Sequence, residues 1–265
     1  MLHELTNGSL TIKADTFGAE LHSIQLNGLE YLWQCGDAWK RYAPILFPFV
    51  CSPEGRKYNA DGKEYTMKAN HGFARDLEFE LEAKDENSIA FVLKSNPETL
   101  AQYPYEFRFV VKYTISGNSV TVSHTVHNTG NKTMYFYIGG HPAFNCPLEA
   151  GETFTDYYVE YEKNEHLTRT IDGKAVTLVE NGNIVPVTRE LFDYNAIILD
   201  TPNSDKISLK SHQSLHSITV EFPEAKAIAV WSPMQNNDAS FVCLEPWTSV
   251  PTNYDDAEKD IEKKK

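Results

Sequence analysis

Apolar residues recur at every second position over much of this chain, which is the period of a half-buried β-strand. The clearest case alternates from Phe107 to Ile115, turns over Ser116-Gly117-Asn118-Ser119, and alternates again from Val120 to Val126. Two alternating runs around a Gly-Asn turn predict a β-hairpin. Shorter alternating runs predict further strands at 77–81, 89–93, 134–138, 157–161, 207–209 and 218–222. Continuous apolar blocks at 227–231 and 241–244 predict strands that are buried on both faces.

Helical patterns are few. Asn96-Pro97-Glu98 supplies a capping residue, a proline at the first helical position and an acid in the first turn, so a short helix is predicted there. Another single turn is predicted at 188–192. Many short strands without a βαβ alternation predict a mainly β fold, a large antiparallel β-sandwich. We find no repeat or composition break, so a single domain is predicted over 1–265, with 254–265 as a charged tail.

Composition and charge restrict the classes of molecule that the protein is expected to bind. The 265 residues carry 24 Lys+Arg against 37 Asp+Glu, a formal charge of -13, which disfavours nucleic acid and anionic membrane surfaces. A neutral or cationic small molecule suits this charge better. The four cysteines are scattered singly, which indicates reduced thiols rather than a disulfide framework or a structural zinc site. Without a secretory signal or a membrane-length apolar run, the chain is expected to be cytoplasmic. The sequence does not indicate an oligomeric state.

Three polar residues lie in apolar or glycine-rich segments, where the solubility of a loop does not account for them. His71 precedes Gly72-Phe73-Ala74-Arg75, His141 lies within Gly139-Gly140-His141-Pro142, and Glu245 follows an apolar block. A carboxylate at the end of a buried strand costs several kcal/mol unless it is paired, solvated or protonated. Each histidine taken alone is more often a surface or hydrogen-bonded structural residue, and Glu245 alone is as readily a buried ion pair.

The histidines lead to two further predictions, one on metal binding and one on exposure. A metal site built from His71, His141 and Glu245 is a minor alternative, so no metal is predicted. His124 and His127, on the hairpin, are predicted to be exposed.

Five segments together resemble the aldose 1-epimerase (galactose mutarotase-like) family, and within it the LacX-like branch. The resemblance spans about residues 10–252, and its segments occur in the family's order. They are Tyr42-Ala43-Pro44-Ile45-Leu46-Phe47-Pro48, His71-Gly72-Phe73-Ala74-Arg75, Tyr103-Pro104-Tyr105-Glu106-Phe107, Gly139-Gly140-His141-Pro142-Ala143-Phe144 and Leu244-Glu245-Pro246-Trp247. The resemblance implies a β-supersandwich fold and a cofactor-free isomerase that interconverts the α and β anomers of a hexose.

The same resemblance implies roles for individual residues. Glu245 is expected to be the general base and His141 the general acid, while His71 and Arg75 bind sugar hydroxyls and the charge on the ring oxygen. Mutarotation removes a proton from the anomeric hydroxyl and protonates the ring oxygen, so a carboxylate and an imidazolium acting together suit it. Phe144, Trp231 and Trp247 are candidates to cover the apolar face of the sugar, although a core role is the commoner one for any of them.

This sequence departs from the family pattern in three places. Val50-Cys51-Ser52 stands where family members commonly carry Val-Gly followed by Arg or Ser, which leaves no second binding arginine there and makes Arg56 the candidate substitute. Asn195 stands where a sugar-binding aspartate is expected, which leaves Asp193 as a shifted candidate. Family members usually continue into a last strand, so either the sequence is truncated or that sheet is completed differently.

These departures leave alternatives to the mutarotase open. One is a non-catalytic carbohydrate-binding or sensing module on the same fold. The other is a hexose-6-phosphate mutarotase, for which only Arg56, Lys57 and Arg75 lie near the motifs as phosphate ligands.

Overall fold

The hairpin expected from the alternating pattern is present, and its turn lies where the sequence places it. A computed structural model describes residues 1–172, 174–234, 236–250 and 259–263 of the chain. In it Phe107 pairs with Asn128 and Ser116 pairs with Ser119, so the turn contains only Gly117 and Asn118. The mainly β, antiparallel architecture is confirmed.

Twenty strands and one short helix make up the regular structure of the described residues. In chain order the strands are β1 (Leu2–Thr6), β2 (Leu10–Asp15), β3 (Leu21–Leu26), β4 (Leu29–Glu30), β5 (Ile45–Leu46), β6 (Lys57–Ala60), β7 (Lys63–Thr66), β8 (Glu80–Lys84), β9 (Ser88–Lys94), β10 (Phe107–Ser116), β11 (Ser119–Asn128), β12 (Gly139–Gly140), β13 (Ala143–Asn145), β14 (Tyr157–Ile171), β15 (Lys174–Pro186), β16 (Ile197–Asp200), β17 (Lys206–Ser211), β18 (Ser217–Glu221), β19 (Ala227–Trp231) and β20 (Phe241–Trp247). The helix α1 spans Pro97–Leu100, and single 3₁₀ turns lie at Glu54–Arg56, Ala74–Asp76, Phe154–Asp156 and Glu190–Phe192.

The chain divides into two compact units. The first contains Met1–Gly28, Pro44–Gly139 and Ser249–Lys265, and the second contains Leu29–Ala43 and Gly140–Thr248. Sheets of the first unit run in the order β1-β2-β3, β11-β10-β9-β8 and β6-β7. The second unit holds a sheet in the order β15-β14-β17-β18 and another that contains β16, β19, β20 and β13. The single domain predicted from sequence is not tested by this division and stays a prediction.

The short helix and most predicted strands lie where the pattern places them. The Asn96 side chain accepts from the backbone N–H groups of Glu98 and Thr99, which caps α1 as expected. The strand predicted at 134–138 is wrong, because that segment joins no ladder; the Tyr137 N–H donates to the Pro48 carbonyl instead. The long hairpin of β14 and β15 was predicted only in its first five residues. Strand β15 is largely exposed on both faces, so its apolar and polar residues show little alternation.

Residues 259–263 of the charged tail pack within the first unit. Lys259–Lys263 lies beside β6, where the Ile261 N–H donates to the Asn59 carbonyl and the Asp61 N–H donates to the Glu262 carboxylate. Ile261 is 2% exposed, so this part of the tail is not the solvated segment that its charges suggest. Residues 254–258, 264 and 265 of the predicted tail lie outside the described residues. No helix among the described residues is both long enough and apolar enough to cross a membrane.

One phenylalanine joins three of the sequence motifs in the core of the first unit. The Phe47 ring is fully buried and lies 4.5 Å from Phe109, 5.2 Å from Phe107, 6.0 Å from Phe73 and 6.1 Å from Tyr103, centroid to centroid. Aromatic pairs at such distances add about 0.5–1.5 kcal/mol each to the burial of their surface. These motif residues therefore hold the core of the first unit together.

Gly72 lets the chain pass directly over Phe47. Its φ is +75°, and a Cβ atom built on it would lie 2.1 Å from the Phe47 carbonyl oxygen. That oxygen accepts hydrogen bonds from the N–H groups of Phe73 and Ala74 and cannot withdraw without breaking them. Only glycine fits this position.

His124 differs from the expected exposed residue. Its side chain is half-buried, with its ring 6.0 Å from the Phe109 ring, and its Nε2 atom is buried without a hydrogen-bond partner among the described residues. Burial lowers the pKa of His124 to about 4. His127, three residues further along β11, is exposed as predicted.

We expect Gly72→Ala to destabilise the protein far more than Gly62→Ala. Both glycines have positive φ, but nothing lies within 4 Å of a Cβ atom at Gly62. Gly62→Ala should cost about 1–2 kcal/mol for the left-handed backbone alone. Gly72→Ala adds the clash with Phe47 and should cost roughly 3 kcal/mol or more. Urea unfolding of the two variants checks this; equal losses would show that the close approach is unimportant.

Stability should fall on acidification from about pH 6.5 to pH 4 partly because of His124. The unfolded histidine, with an ordinary pKa near 6.5, takes up a proton in this window, whereas the folded one, with a pKa of about 4, does not. At pH 5 the contribution should be roughly 1–2 kcal/mol, since the partly exposed ring is screened by solvent. We expect the difference in unfolding free energy between pH 7 and pH 5 to shrink in His124→Gln and to stay unchanged in His127→Gln.

Candidate active site

Strand β20 presents Glu245 from a buried sheet of the second unit. Because side chains alternate along a strand, Cys243 and Glu245 point to the same face. The neighbouring strand β19 pairs Ala229 with Glu245 and Trp231 with Cys243. Opposite residues of an antiparallel pair share a face, so the small Ala229 side chain lies next to the carboxylate. Glu245 itself is 2% exposed.

Strand β13 brings His141 to Glu245 from the other side. Ala143 pairs with Cys243 in antiparallel register, so the residue two before Ala143 comes beside the residue two after Cys243. His141 occupies that position, 7% exposed, with its Nε2 atom 3.3 Å from Oε2 of Glu245. Residues more than a hundred positions apart thus form one buried histidine–carboxylate pair.

Aromatic rings enclose the imidazole of His141. The Trp39 ring stacks on it at 5.0 Å between centroids, and the Trp231 ring meets it edge-on at 5.4 Å. Phe241 stacks in turn on Trp39 at 5.5 Å. These rings pack against the buried cluster of Ala143, Ala239, Phe241 and Cys243. The orientation of the imidazole is therefore fixed by packing as well as by Glu245.

Three effects act on the charge of this pair. The Glu245 carboxylate and the face of Trp39 both favour the imidazolium form of His141. Burial acts in the opposite direction and favours neutral groups.

Cys243 lies on the same face and is affected by the same burial. Burial raises the pKa of the Cys243 thiol well above its ordinary value, and the nearby negative charge of Glu245 raises it further. The thiol is therefore neutral at pH 7. Cys243 was not among the residues singled out from the sequence, although its spacing of two from Glu245 on a predicted strand indicates that the two share a face.

Asn195, the residue in the expected aspartate position, contacts Trp231. The Trp231 indole Nε1–H donates to Oδ1 of Asn195 at 3.1 Å. Asn195 has a φ of +74°, and its carbonyl accepts from the Arg169 guanidinium at 3.2 Å. The structure thus joins Asn195 to the ring that borders His141. Asp193, the shifted candidate, is exposed just before it on the chain.

His71 and Arg75, two further residues expected to bind the substrate, belong to the first unit. The Nδ1 atom of His71 accepts from the Cys51 backbone N–H at 3.0 Å; this bond places the proton of a neutral ring on Nε2. Arg75 donates to the Asn70 carbonyl at 2.8 Å. The hydroxyl of the buried Ser52 donates to the Asn70 amide oxygen at 2.7 Å.

Two tryptophans of the second unit, Trp247 and Trp39, differ in whether the sequence singled them out. Trp247, at the end of β20, is only 2% exposed, and its Nε1–H has no hydrogen-bond partner among the described residues. Trp39 could not be found from the sequence, because it lies in a segment, 31–41, that has neither a regular period nor a motif. Its contact with His141 is set by the fold alone.

Comparisons of the sequence and of the structure with known proteins point to the same family. A family model described as aldose 1-epimerase matches residues 1–262. The chain is 36% identical to the protein LacX, chromosomal, of Lactococcus lactis subsp. lactis, over 97% of this chain and 90% of the relative. It superposes with a TM-score of 0.91 on a galactose mutarotase related enzyme from Lactobacillus acidophilus, at 31% identity over 100% of this chain and 90% of the other.

A second solved structure agrees. A galactose mutarotase-like protein from Lactobacillus casei gives a TM-score of 0.88 at 31% identity, over 99% of this chain and 92% of the other. The predicted galactose mutarotase-like fold is confirmed.

We expect only two of the four thiols to react in the folded protein. Cys146 and Cys243 are fully buried, and burial raises the pKa of both, whereas Cys35 and Cys51 are partly exposed. A thiolate is the reactive form, so buried neutral thiols react slowly. Titration with a chromogenic thiol reagent should therefore label Cys35 and Cys51 in the native state and all four after unfolding. Rapid native labelling of Cys243, seen by peptide mapping, would contradict the buried site.

Proposed function

The chain belongs to the aldose 1-epimerase family, and we propose that it is a mutarotase that interconverts the α and β anomers of a free hexose. Glu245 acts as the general base and His141 as the general acid. The observation that carries the proposal is the buried Nε2–Oε2 contact of 3.3 Å between these two residues.

The chemistry requires an acid and a base that are neighbours. The anomeric hydroxyl and the ring oxygen are bonded to the same carbon atom, so the group that deprotonates one must lie close to the group that protonates the other. In this mechanism Glu245 accepts the hydroxyl proton while His141 donates to the ring oxygen, and the C1–O5 bond breaks to give the open aldehyde. Rotation about C1–C2 turns the other face of the carbonyl toward the ring hydroxyl.

Closure returns both protons. The ring hydroxyl gives its proton to His141, its oxygen attacks C1, and the new anomeric oxygen takes the proton from Glu245. The two residues end as they began, so the cycle needs no cofactor and no net proton exchange with water. Each positioned acid or base contributes roughly 10²–10⁴-fold to the rate.

The surroundings of the pair support a sugar ligand. A pyranose has apolar faces that pack on aromatic rings. Trp231 borders His141 and is held by Asn195, whose amide N–H group is left as a donor for a sugar hydroxyl. His71, Arg75, Asp193 and Trp247 stay in the proposal as substrate-binding residues on the strength of the family pattern. Among these, Trp247 has the least exposed surface to contribute.

A phosphorylated hexose fits this chain less well. The three basic residues near the motifs are each engaged by the protein itself. Arg56 donates to the Lys68 carbonyl at 2.6 Å, Lys57 pairs with Glu64 at 2.8 Å, and Arg75 donates to the Asn70 carbonyl. A phosphate ligand needs convergent donors that the protein does not already use.

A sugar sensor without catalysis is the second candidate. It is favoured by the replacement of the expected aspartate by Asn195, whose side-chain oxygen is committed to Trp231 rather than to a substrate hydroxyl. Such a module would bind a hexose and leave its anomers to exchange at the uncatalysed rate.

We expect Glu245→Gln to lower the rate of anomer exchange by roughly 100-fold or more, because glutamine cannot accept the proton. His141→Gln should have an effect of similar size. NMR exchange spectroscopy or polarimetry on fresh α-D-galactose and α-D-glucose measures both.

Glu165→Gln is the matched control. Glu165 is equally buried, at 3% exposed, but its carboxylate accepts from the Asn203 and Ser204 backbone N–H groups away from the pair. This variant should lose stability and keep its exchange rate per folded molecule. Unchanged exchange in Glu245→Gln would remove the assignment, and hexose binding without exchange in the wild type would favour the sensor. Stronger competition by glucose 6-phosphate than by glucose would favour the phosphorylated substrate.

A further inference from the structure

Three different donor atoms converge at the candidate active site. The His141 imidazole, the Cys243 thiol and the Glu245 carboxylate each offer one ligand atom, and these atoms all lie within 4.8 Å of one another. All three residues are buried. The convergence follows from the sheet, since Cys243 and Glu245 are two apart on β20 and His141 arrives through the register of β13.

This combination of nitrogen, sulfur and oxygen donors matches a particular class of metal ion. Zn²⁺ binds Cys sulfur, His nitrogen and carboxylate oxygen at about 2.0–2.3 Å, and sites with three protein ligands leave a fourth position for water or another ligand. Hard ions such as Mg²⁺ and Ca²⁺ prefer oxygen donors alone and disfavour a thiolate.

Charge also favours such an ion in a buried position. A thiolate and a carboxylate together carry two negative charges, which a divalent cation neutralises. Binding breaks the S–H bond of Cys243 and an N–H bond of the His141 imidazolium, releases both protons to solvent, and forms metal–sulfur and metal–nitrogen bonds in their place. No oxidation or reduction is involved.

We infer that His141, Cys243 and Glu245 form an inhibitory binding site for a thiophilic divalent cation such as Zn²⁺. The ion occupies the lone pairs that the acid–base cycle requires, so metal binding and sugar turnover exclude each other. The inhibition rests on the proposed function, whereas the metal site itself rests only on the geometry.

Co²⁺ absorption tests the site without any assay of activity. Cobalt replaces zinc in such sites, and coordination by a thiolate gives a charge-transfer band that histidine and carboxylate ligands do not produce. Tag-free wild-type protein titrated with Co²⁺ should show this band, and Zn²⁺ should abolish it while Mg²⁺ should not. Cys243→Ser should lack the band and bind Zn²⁺ at least about tenfold more weakly by calorimetry.

Cys146→Ser is the matched control. Cys146 is as fully buried as Cys243 and lies in the same unit, but it does not belong to the three-donor group. This variant should keep the cobalt band and the zinc affinity of the wild type. Cys243→Ala, which buries no hydroxyl, serves as a second test of the site if the serine variant fails to fold.

The results separate this inference from the proposed function. A missing band in the wild type, or an unchanged band in the folded Cys243 variants, would overturn the metal site. If the site is correct, Zn²⁺ should inhibit wild-type anomer exchange, and the concentration for half inhibition should rise at least about tenfold in Cys243→Ser. Absent exchange in the metal-free wild type would instead overturn the proposed function, while the cobalt band would still decide the metal site.

Discussion

The burial of one carboxylate governs the arrangement of the second unit. Glu245 lies almost wholly out of water at the end of β20, and an isolated charge in such a place costs several kcal/mol. His141 offsets that cost, because its imidazole lies 3.3 Å away and carries the complementary charge when protonated. The pairing of β13 with β20 must therefore hold one register, since a slip of one residue would move His141 to the other face.

The same burial gives the pair its chemistry. Water-exposed carboxylates and imidazoles exchange protons with solvent, whereas a dry, oriented pair can transfer protons to and from one ligand. Trp39 and Trp231 exclude water and fix the imidazole plane. The same enclosure keeps Cys243 neutral and brings its sulfur near the His141 and Glu245 side chains. The proposed reactivity toward a sugar and the inferred affinity for a thiophilic metal ion thus rest on one feature, which is the convergence of basic atoms in a buried space.

Motifs that carry a family resemblance do not all carry chemistry. Phe47, Phe73 and Phe107 come from three of these motifs and pack together in the core of the first unit. Gly72 belongs to one of them because the chain crosses the Phe47 carbonyl with no space for a side chain. His71 and Arg75, which flank it, are held by hydrogen bonds to Cys51 and Asn70. A motif of five residues here combines a core aromatic ring, a steric requirement and two polar side chains.

The sequence determined features that depend on neighbouring residues. The hairpin of β10 and β11, the capped turn of α1 and the buried strands β19 and β20 follow from alternation, turn chemistry and capping over a few positions. His141 and Glu245 were recognised as unusual because each sits in an apolar or glycine-rich context. The tertiary structure alone decided how distant segments meet. It placed Trp39 on His141, Cys243 beside the pair and Asn195 on Trp231, and it docked Ile261 on β6. Such contacts join residues that are far apart in the chain, so the local periodicity of the sequence cannot predict them.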